Sequence, residues 1–297
     1  MLRIIADSTC DISKEDARKM GIQIVPISVR FGDEEFLDGV EITHEEFYTR
    51  LAECDELPKT SQPSPDTFMK VFNEAVAAGD DVLGIFISSD LSGTYQSACL
   101  AALDVEEETR KKLYMVDSRS ASIGTALLIR EAVKLRDAGV NVSDIAAACT
   151  EMSKYIKLTA VVGSLKYLKM GGRLSGAAAF AGTMLHITPV VRIGDGKVVV
   201  IGKTRGKKAA EKLMHDKLIK DGLSLTRDFM FGHINCSESL ETFINKSLTY
   251  ISDVNGNVGV SSIGCSVGTH VGPGTYGIAY VEAAESGMNR ESIVKTA

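Results

Sequence analysis

Val82-Leu83-Gly84-Ile85-Phe86-Ile87 runs directly into Ser88-Ser89-Asp90-Leu91-Ser92-Gly93-Thr94. The short apolar run reads as a strand buried on both faces, and Ser92-Gly93-Thr94 reads as the entry to a helix reaching Leu103. A strand that feeds a helix through a turn at its carboxyl end is the unit of an open parallel sheet. Upstream, residues 2–6 read as a strand, Ser13 opens a short helix, residues 22–29 form the next strand and residues 30–37 a small hairpin around Gly32-Asp33. Thr43-His44-Glu45-Glu46 is a capping box for a helix with Phe47 and Leu51 on one face. A loop through Thr60-Ser61-Gln62-Pro63 leads to Ser64-Pro65, an N-cap followed by proline at the first helical position. Downstream come a strand at 113–116, a helix at 123–138 and a further helix capped by Ser143. The expectation for residues 1–157 is a Rossmann-like α/β domain built on a mainly parallel sheet.

Beyond residue 157 the pattern changes. A strand at 158–162 precedes a short helix, 164–170, ended by Gly171-Gly172. Gly194-Asp195-Gly196 between apolar runs is a hairpin signal. Helices follow at 206–221 and 237–251, with strands at 229–234, 258–265 and 276–281; the last two flank a Gly-rich loop, 268–274. This half, residues 158–297, reads as an α+β domain with a mixed sheet, and a length of 297 residues suits two domains of roughly 100–200 residues each.

Composition narrows the class. The chain is 44% hydrophobic and 24% charged, without tryptophan, as in an ordinary globular protein. The long charge-free stretches, 174–191 and 254–281, are interrupted by Gly and Pro, so neither reads as a membrane span. Met1-Leu2-Arg3-Ile4-Ile5-Ala6-Asp7 lacks the features of a signal peptide, which makes a cytoplasmic location the expectation. Six scattered cysteines with no C-x-x-C and no Cys/His cluster point to neither a disulfide framework nor a metal site. The net charge of -6 divides unevenly, with 16 Lys+Arg against 28 Asp+Glu in residues 1–155 and 17 against 11 in the remainder. Thirteen basic residues stand between Lys157 and Lys220 against three acidic ones. They lack interleaved aromatics, so nucleic acid is not the expected partner.

A Walker P-loop and an H-E-x-x-H helix are absent, and Asp7-Ser8-Thr9-Cys10-Asp11, rather than a G-x-G-x-x-G, follows the first strand. What remains is a set of hydroxyl-rich turns at strand carboxyl ends. Ser92, Gly93 and Thr94 can converge on an anion with the free N–H groups of the helix start, or Ser92 can simply cap the helix. Thr60 and Ser61 offer hydroxyls on a proline-constrained turn, or form a stiff helix-entry loop. Asp7-Ser8-Thr9 either lines the same edge or makes an Asx turn. His270 sits among Gly268, Gly272, Pro273 and Gly274, where a local hydrogen-bonding role competes with a ligand role. Arg173 and Arg205 stand in basic turns suited to a phosphate, a carboxylate or an acidic partner.

In order, Asp7-Ser8-Thr9-Cys10-Asp11, Thr60-Ser61-Gln62-Pro63, Ser89-Asp90-Leu91-Ser92-Gly93-Thr94-Tyr95, Val116-Asp117-Ser118, Gly171-Gly172-Arg173-Leu174-Ser175 and Gly268-Thr269-His270-Val271-Gly272-Pro273-Gly274 resemble the DegV family of bacterial lipid-binding proteins. The resemblance covers nearly the whole chain. It implies two α/β domains with a long-chain fatty acid held in a tunnel between them. It also implies a non-enzymatic role, as the fatty-acid-binding subunit of bacterial fatty acid kinase. A separate ATP-binding subunit would there phosphorylate the bound carboxylate and feed phospholipid synthesis. The ligand would be the fatty acid, with no cofactor, no membrane span and at most transient membrane contact. Carried onto this sequence, Thr60, Ser61, Ser92, Gly93, Thr94 and His270 would surround the carboxylate. Arg205 would stand near the head group or the partner, and Arg173 would contact the kinase subunit. The charge-free stretch 174–191 is the expected wall or cover of the tunnel. Two alternatives use the same residues: a serine hydrolase built on Ser92, His270 and Asp7 or Asp90, and a binder of a small phosphorylated metabolite.

Overall fold

The computed structural model describes residues 1–54, 56–176, 187–222, 224, 227–250 and 256–283. In the first half, β1 (Leu2–Asp7) leads through a one-turn 3-10 helix to α1 (Lys14–Met20), capped by the Ser13 side chain. There follow β2 (Ile22–Val25), β3 (Ser28–Phe31), β4 (Glu34–Leu37), α2 (His44–Glu53), β5 (Lys59–Ser61), α3 (Pro65–Ala77), β6 (Asp81–Phe86), α4 (Thr94–Thr109), β7 (Tyr114–Asp117), α5 (Ile123–Asp137) and α6 (Val142–Ser153). Strands β2-β1-β6-β7 form an all-parallel sheet in that order. Its apolar runs are explained by burial on both faces. Ile4, Ala6, Leu83 and Ile85 pack with Leu128, Ile129 and Ile145 of α5 and α6. The alternate residues Ile5, Val82 and Phe86 pack with Phe68 and Phe72 of α3 and Ala98 and Ala101 of α4.

Three local readings are corrected. The run 22–29 is two strands, because Pro26 has no N–H for the ladder and the chain leaves the parallel sheet there. β3 then joins β4 and β5 in a separate antiparallel sheet of order β4-β3-β5, so Thr60 and Ser61 lie on a strand rather than in a loop. α6 is capped by Asn141, whose side chain accepts from Asp144 N, while Ser143 lies inside the first turn and donates to Asn141 Oδ1 at 2.6 Å. The capping box at Thr43 and Glu46 and the Ser64 cap with Pro65 form as read.

The second half contains β8 (Ile156–Val161), α7 (Lys166–Met170), β9 (Thr188–Gly194), β10 (Lys197–Thr204), α8 (Lys207–Asp221), β11 (Phe229–His233), α9 (Ser237–Tyr250), β12 (Val258–Ser262), α10 (Cys265–Val271) and β13 (Tyr276–Val281). Its sheet is mixed, in the order β10-β9-β8-β13-β11-β12, with β11 and β12 parallel. The 157/158 boundary falls within β8. One face of this sheet is covered by α8 and α9, through Met214, Leu218 and Phe243 against Phe229, Phe231 and Tyr276. The other face, carrying Leu158, Ala160, Val191, Ile193, Met230 and Ala279, turns towards α5 and the first half, where it meets Ile87, Ala121, Ile123 and Leu127. This apolar layer joins the two halves.

Polar contacts hold its margins. Lys134 of α5 pairs with Asp228 at 2.6 Å, and Arg227 pairs with Glu131. The tip of the β9–β10 hairpin docks on the turn after β6, where Ser88 Oγ donates to the Gly196 carbonyl at 2.8 Å. Tyr48 of α2 reaches across to donate to the Ile263 carbonyl at 2.9 Å. Most of the expected tunnel wall, residues 177–186, lies outside the described residues. Of its flanks, Leu174 is buried and bridges to Val198, and Val190 and Val191 are buried in β9. Among the described residues, no helix is long and apolar enough to cross a membrane.

Candidate functional site

Where the carboxyl ends of the parallel strands meet the open face of the mixed sheet, a cleft opens between the halves. The first half contributes Thr9, Thr60, Leu91 and Ser92 to its wall; the second contributes Arg173, Ile193, Val198, Ser266 and His270. A second space shares Ala121, Ile193, Val198, Val267 and Val271 with it. That space continues along the sheet between Leu158, Ala160, Val162, Val191 and Ile263. The cavity is therefore polar at one end and apolar along its length.

The polar end is assembled from four segments. His270 Nε2 and Thr60 Oγ1 are 2.9 Å apart, which joins α10 to β5. The Gly-rich segment expected as a loop is thus partly helical: Gly268, Thr269 and His270 belong to α10. Gly and Thr are weak helix formers, so tertiary contacts hold this helix. Asp38 accepts the N–H groups of Cys265 and Ser266 at 3.2 and 3.0 Å at its start. Thr275 Oγ1 donates to the Val271 and Gly272 carbonyls at its end. Gly171 is required beside it, because a Cβ there would lie 2.3 Å from His270 Nδ1.

Ser92 Oγ and Thr94 Oγ1 are 2.9 Å apart, and the Thr94 N–H donates to Ser92 Oγ at 3.3 Å. Helix α4 starts with Gly93 as its N-cap, so Ser92 stands one residue before the cap and faces the cleft. Gly93 permits the Gln62 amide to lie against it, since a Cβ would meet Gln62 Oε1 at 2.1 Å. Thr94 is buried beneath Ser92 and does not line the cleft.

Electrostatics favours an anion. Arg173 is held in the wall by Nε donating to the Leu91 carbonyl at 3.1 Å and Nη1 to the Gly171 carbonyl at 2.6 Å. Burial, reinforced by the Arg173 charge, pushes the His270 imidazole down to about 4. The ring is therefore neutral at pH 7, and the guanidinium is the cation of the site. His270 Nδ1 and Ser266 Oγ are buried without a hydrogen-bond partner among the described residues. Ser266 and His270 stand four residues apart on one face of α10. Two unsatisfied polar atoms beside a guanidinium form a site prepared for a polar group that the protein itself does not supply.

Several expectations change. Thr60, Ser92 and His270 converge as anticipated. Arg173, expected as a partner contact, lies in the cleft wall. Ser61 is exposed, because alternation along β5 turns it away from the side on which Thr60 faces the cleft. Arg205 is exposed just past the far end of β10, about 20 Å by strand rise from Val198 in the cleft, and so does not reach the polar end. The hydrolase constellation does not assemble: His270 engages Thr60 rather than Ser92. Asp7 is occupied by the N–H groups of Thr9 and Ile87 at 2.9 Å, and Asp90 faces Lys197 at 3.5 Å. Ser266 was missed by the sequence reading, although Gly264-Cys265-Ser266-Val267-Gly268 is a G-x-S-x-G pattern and Ser266 stands four residues before His270.

Comparison with known proteins agrees with this architecture. The sequence matches the family model described as "Uncharacterised protein, DegV family" over residues 1–283. A DegV domain-containing protein of Clostridium perfringens is 35% identical over 290 residues, which covers 95% of this chain and 98% of the relative. Among solved structures, a fatty-acid-binding DegV family protein of Thermus thermophilus superposes with a TM-score of 0.84 at 31% identity, covering 95% of this chain and 100% of the other. A stearic-acid-binding protein of Eubacterium ventriosum gives 0.83 at 30% identity, covering 95% and 98%. DegV of Bacillus subtilis, described as a fatty acid binding protein, gives 0.82 at 28% identity, covering 95% and 99%. The α/β architecture with one parallel and one mixed sheet, the motif order and the whole-length match lead to one conclusion: the chain belongs to the DegV family.

Proposed function

We propose that this protein binds a long-chain fatty acid in the cleft between its two sheets and presents the carboxylate to a separate ATP-dependent kinase subunit, which forms the acyl phosphate. In this reading residues 1–157 supply the hydroxyls of the head-group site, and residues 158–297 complete the tunnel. The observation that carries it is the polarity of the cavity. Thr60, Ser92, Arg173, Ser266 and His270 gather at one end, and an almost wholly apolar passage runs from them along the second sheet. Relatives of the same fold that bind fatty acids support the ligand class.

Physical chemistry divides the labour. Burying a chain of about 16 carbons at about 0.8 kcal/mol per CH₂ supplies on the order of 10 kcal/mol, against an association cost of similar size. The hydrocarbon therefore sets the affinity. The hydroxyls, the neutral imidazole and the Arg173 guanidinium set where the carboxylate points. In the tautomer whose Nε2–H donates to Thr60, the threonine keeps its own hydrogen for the carboxylate, so the ring orients the hydroxyl without competing for charge. Ser92 has no hydrogen bond to an imidazole or carboxylate among the described residues, which supports a carrier role at this cleft. A small phosphorylated metabolite fits less well, since it would leave the apolar passage unused.

The test is extraction of the protein purified from a bacterial host, followed by mass spectrometry. A long-chain fatty acid at near-stoichiometric yield is expected, and a polar ligand without lipid would overturn the reading. For the kinase step, lipid-loaded protein is mixed with ATP and the ATP-binding subunit of a fatty acid kinase. Acyl phosphate is expected only with both proteins present. Arg173→Ala separates the two roles of that residue when lipid affinity and phosphorylation are measured independently.

A further inference from the structure

The sequence shows no Cys/His cluster, yet the fold builds a mixed one away from the cleft. Asp38 follows β4, His44 is the first residue of α2 and Cys265 is the first residue of α10. One ligand atom from each lies within 4.8 Å of the other two. Zinc bond lengths place tetrahedral ligands about 3.5 Å apart, so closing the site takes side-chain adjustments on the order of 1 Å and no rebuilding of the backbone.

The surroundings are those of a cation site. Asp38 and Cys265 are buried, at 4% and 0% exposure. The Asp38 carboxylate is fixed by the N–H groups of Cys265 and Ser266 and by Ser8 Oγ at 3.2 Å, the outer-shell support that orients a ligand. Gly264 keeps the centre open: a Cβ there would lie 3.1 Å from His44 Nε2 and 3.5 Å from Asp38 Oδ1. Asp11, 6% exposed, adds a second buried carboxylate, held by Ser122 and by the Gly264 N–H at 2.9 Å. Among the described residues neither Asp11 nor Asp38 has a lysine or arginine within ion-pair distance. Buried carboxylates call for a positive partner, and a bound cation supplies one. Asp38 and His44 also border a separate cavity of about 610 Å³, which gives an entry path and room for water as a fourth ligand.

We propose that Asp38, His44 and Cys265 bind one divalent cation of the zinc class, with a fourth position open to this cavity. The donor set is decisive for the class. A thiolate with an imidazole selects a borderline-soft metal over magnesium or calcium, which take oxygen ligands. On binding, the Cys265 thiol exchanges its proton for the metal and the proton passes to solvent. The assignment is independent of the fatty-acid reading, because no ligand residue lines the lipid cleft.

Metal-stripped full-length protein is titrated with Zn²⁺ against a chromogenic chelator and, separately, with Co²⁺. One equivalent per chain is expected. Co²⁺ should give a sulfur-to-metal charge-transfer band and the intense visible absorption of a tetrahedral centre. Both signals should vanish in Cys265→Ala and in His44→Ala, with zinc affinity at least about 100-fold weaker, and persist in Cys99→Ala. His44 is only half-buried, so its variant decides the question if Cys265→Ala fails to fold, with circular dichroism confirming its structure. Absence of the thiolate band in the wild type, or its survival in His44→Ala, would overturn the proposal.

Discussion

His270 offers the sharpest quantitative test of the cleft, because its environment and protonation are coupled. Burial comes first and the Arg173 charge second in driving its imidazole from the ordinary 6.5 to about 4. Between these values the unfolded chain holds a proton that the folded chain does not. Stability contributed by the neutral ring is thus complete above pH 6.5 and falls as pH drops towards 4. At pH 5 the loss works out to about 2 kcal/mol relative to pH 7.5. The perturbation is His270→Gln, which keeps a hydrogen-bonding side chain but removes the titration. Urea unfolding of lipid-free wild type and variant across pH 4.5–7.5 isolates the difference, since every other titrating group cancels. The variant should gain about 2 kcal/mol on the wild type between pH 7.5 and 5. An NMR titration of the His270 ring should give a midpoint near 4, rising in Arg173→Met as the second cause is removed. Parallel stability curves, or a midpoint near 6.5, would refute the cleft electrostatics described above.

Three further outcomes are expected. Thr60→Val and Ser92→Ala each remove a hydroxyl from the carboxylate site, and a hydrogen bond to a charged group is worth about 1.5–3 kcal/mol; displacement of a fluorescent fatty acid should show affinity about tenfold or more weaker in each. In a series of saturated acids, each added CH₂ should tighten binding about fourfold until the apolar passage is filled, after which isothermal titration should show no further gain. A fluorophosphonate probe should leave Ser92 unlabelled, because no imidazole or carboxylate activates it; stoichiometric labelling would revive the hydrolase reading.

The parallel sheet was legible because its signal is local: residues 82–87 and the hydroxyl-rich turn after them encode strand, turn and helix within a short span. So were the Thr43 and Ser64 caps, whose chemistry lies within a few residues. What the sequence concealed depends on distant partners. Helix α10 has a weak intrinsic preference and exists because Asp38, more than two hundred positions earlier, holds its first N–H groups. Strand β5 gains its identity only by pairing with β3, and that pairing separates Thr60 from Ser61. Arg205 followed the resemblance and the basic composition of its turn, but β10 is long enough to carry it out of reach. Asp38, His44 and Cys265 are unremarkable along the chain and meaningful only together.

The mixed sheet is covered by α8 and α9 on one side, and its second face is apolar where it meets α5 of the first half. Such a face is ordinarily completed by side chains, whereas in the function proposed above part of the filling would be left to a guest. An acyl chain lying there would belong to the interior of the fold, with one wall anchored in each half. Its departure would require the layers to part, so the release rate would be governed by the opening of the molecule rather than by the strength of any head-group contact. Under the proposed function, a carrier built in this way would hold its cargo kinetically and surrender it when something else, such as a docked partner, loosens the seam.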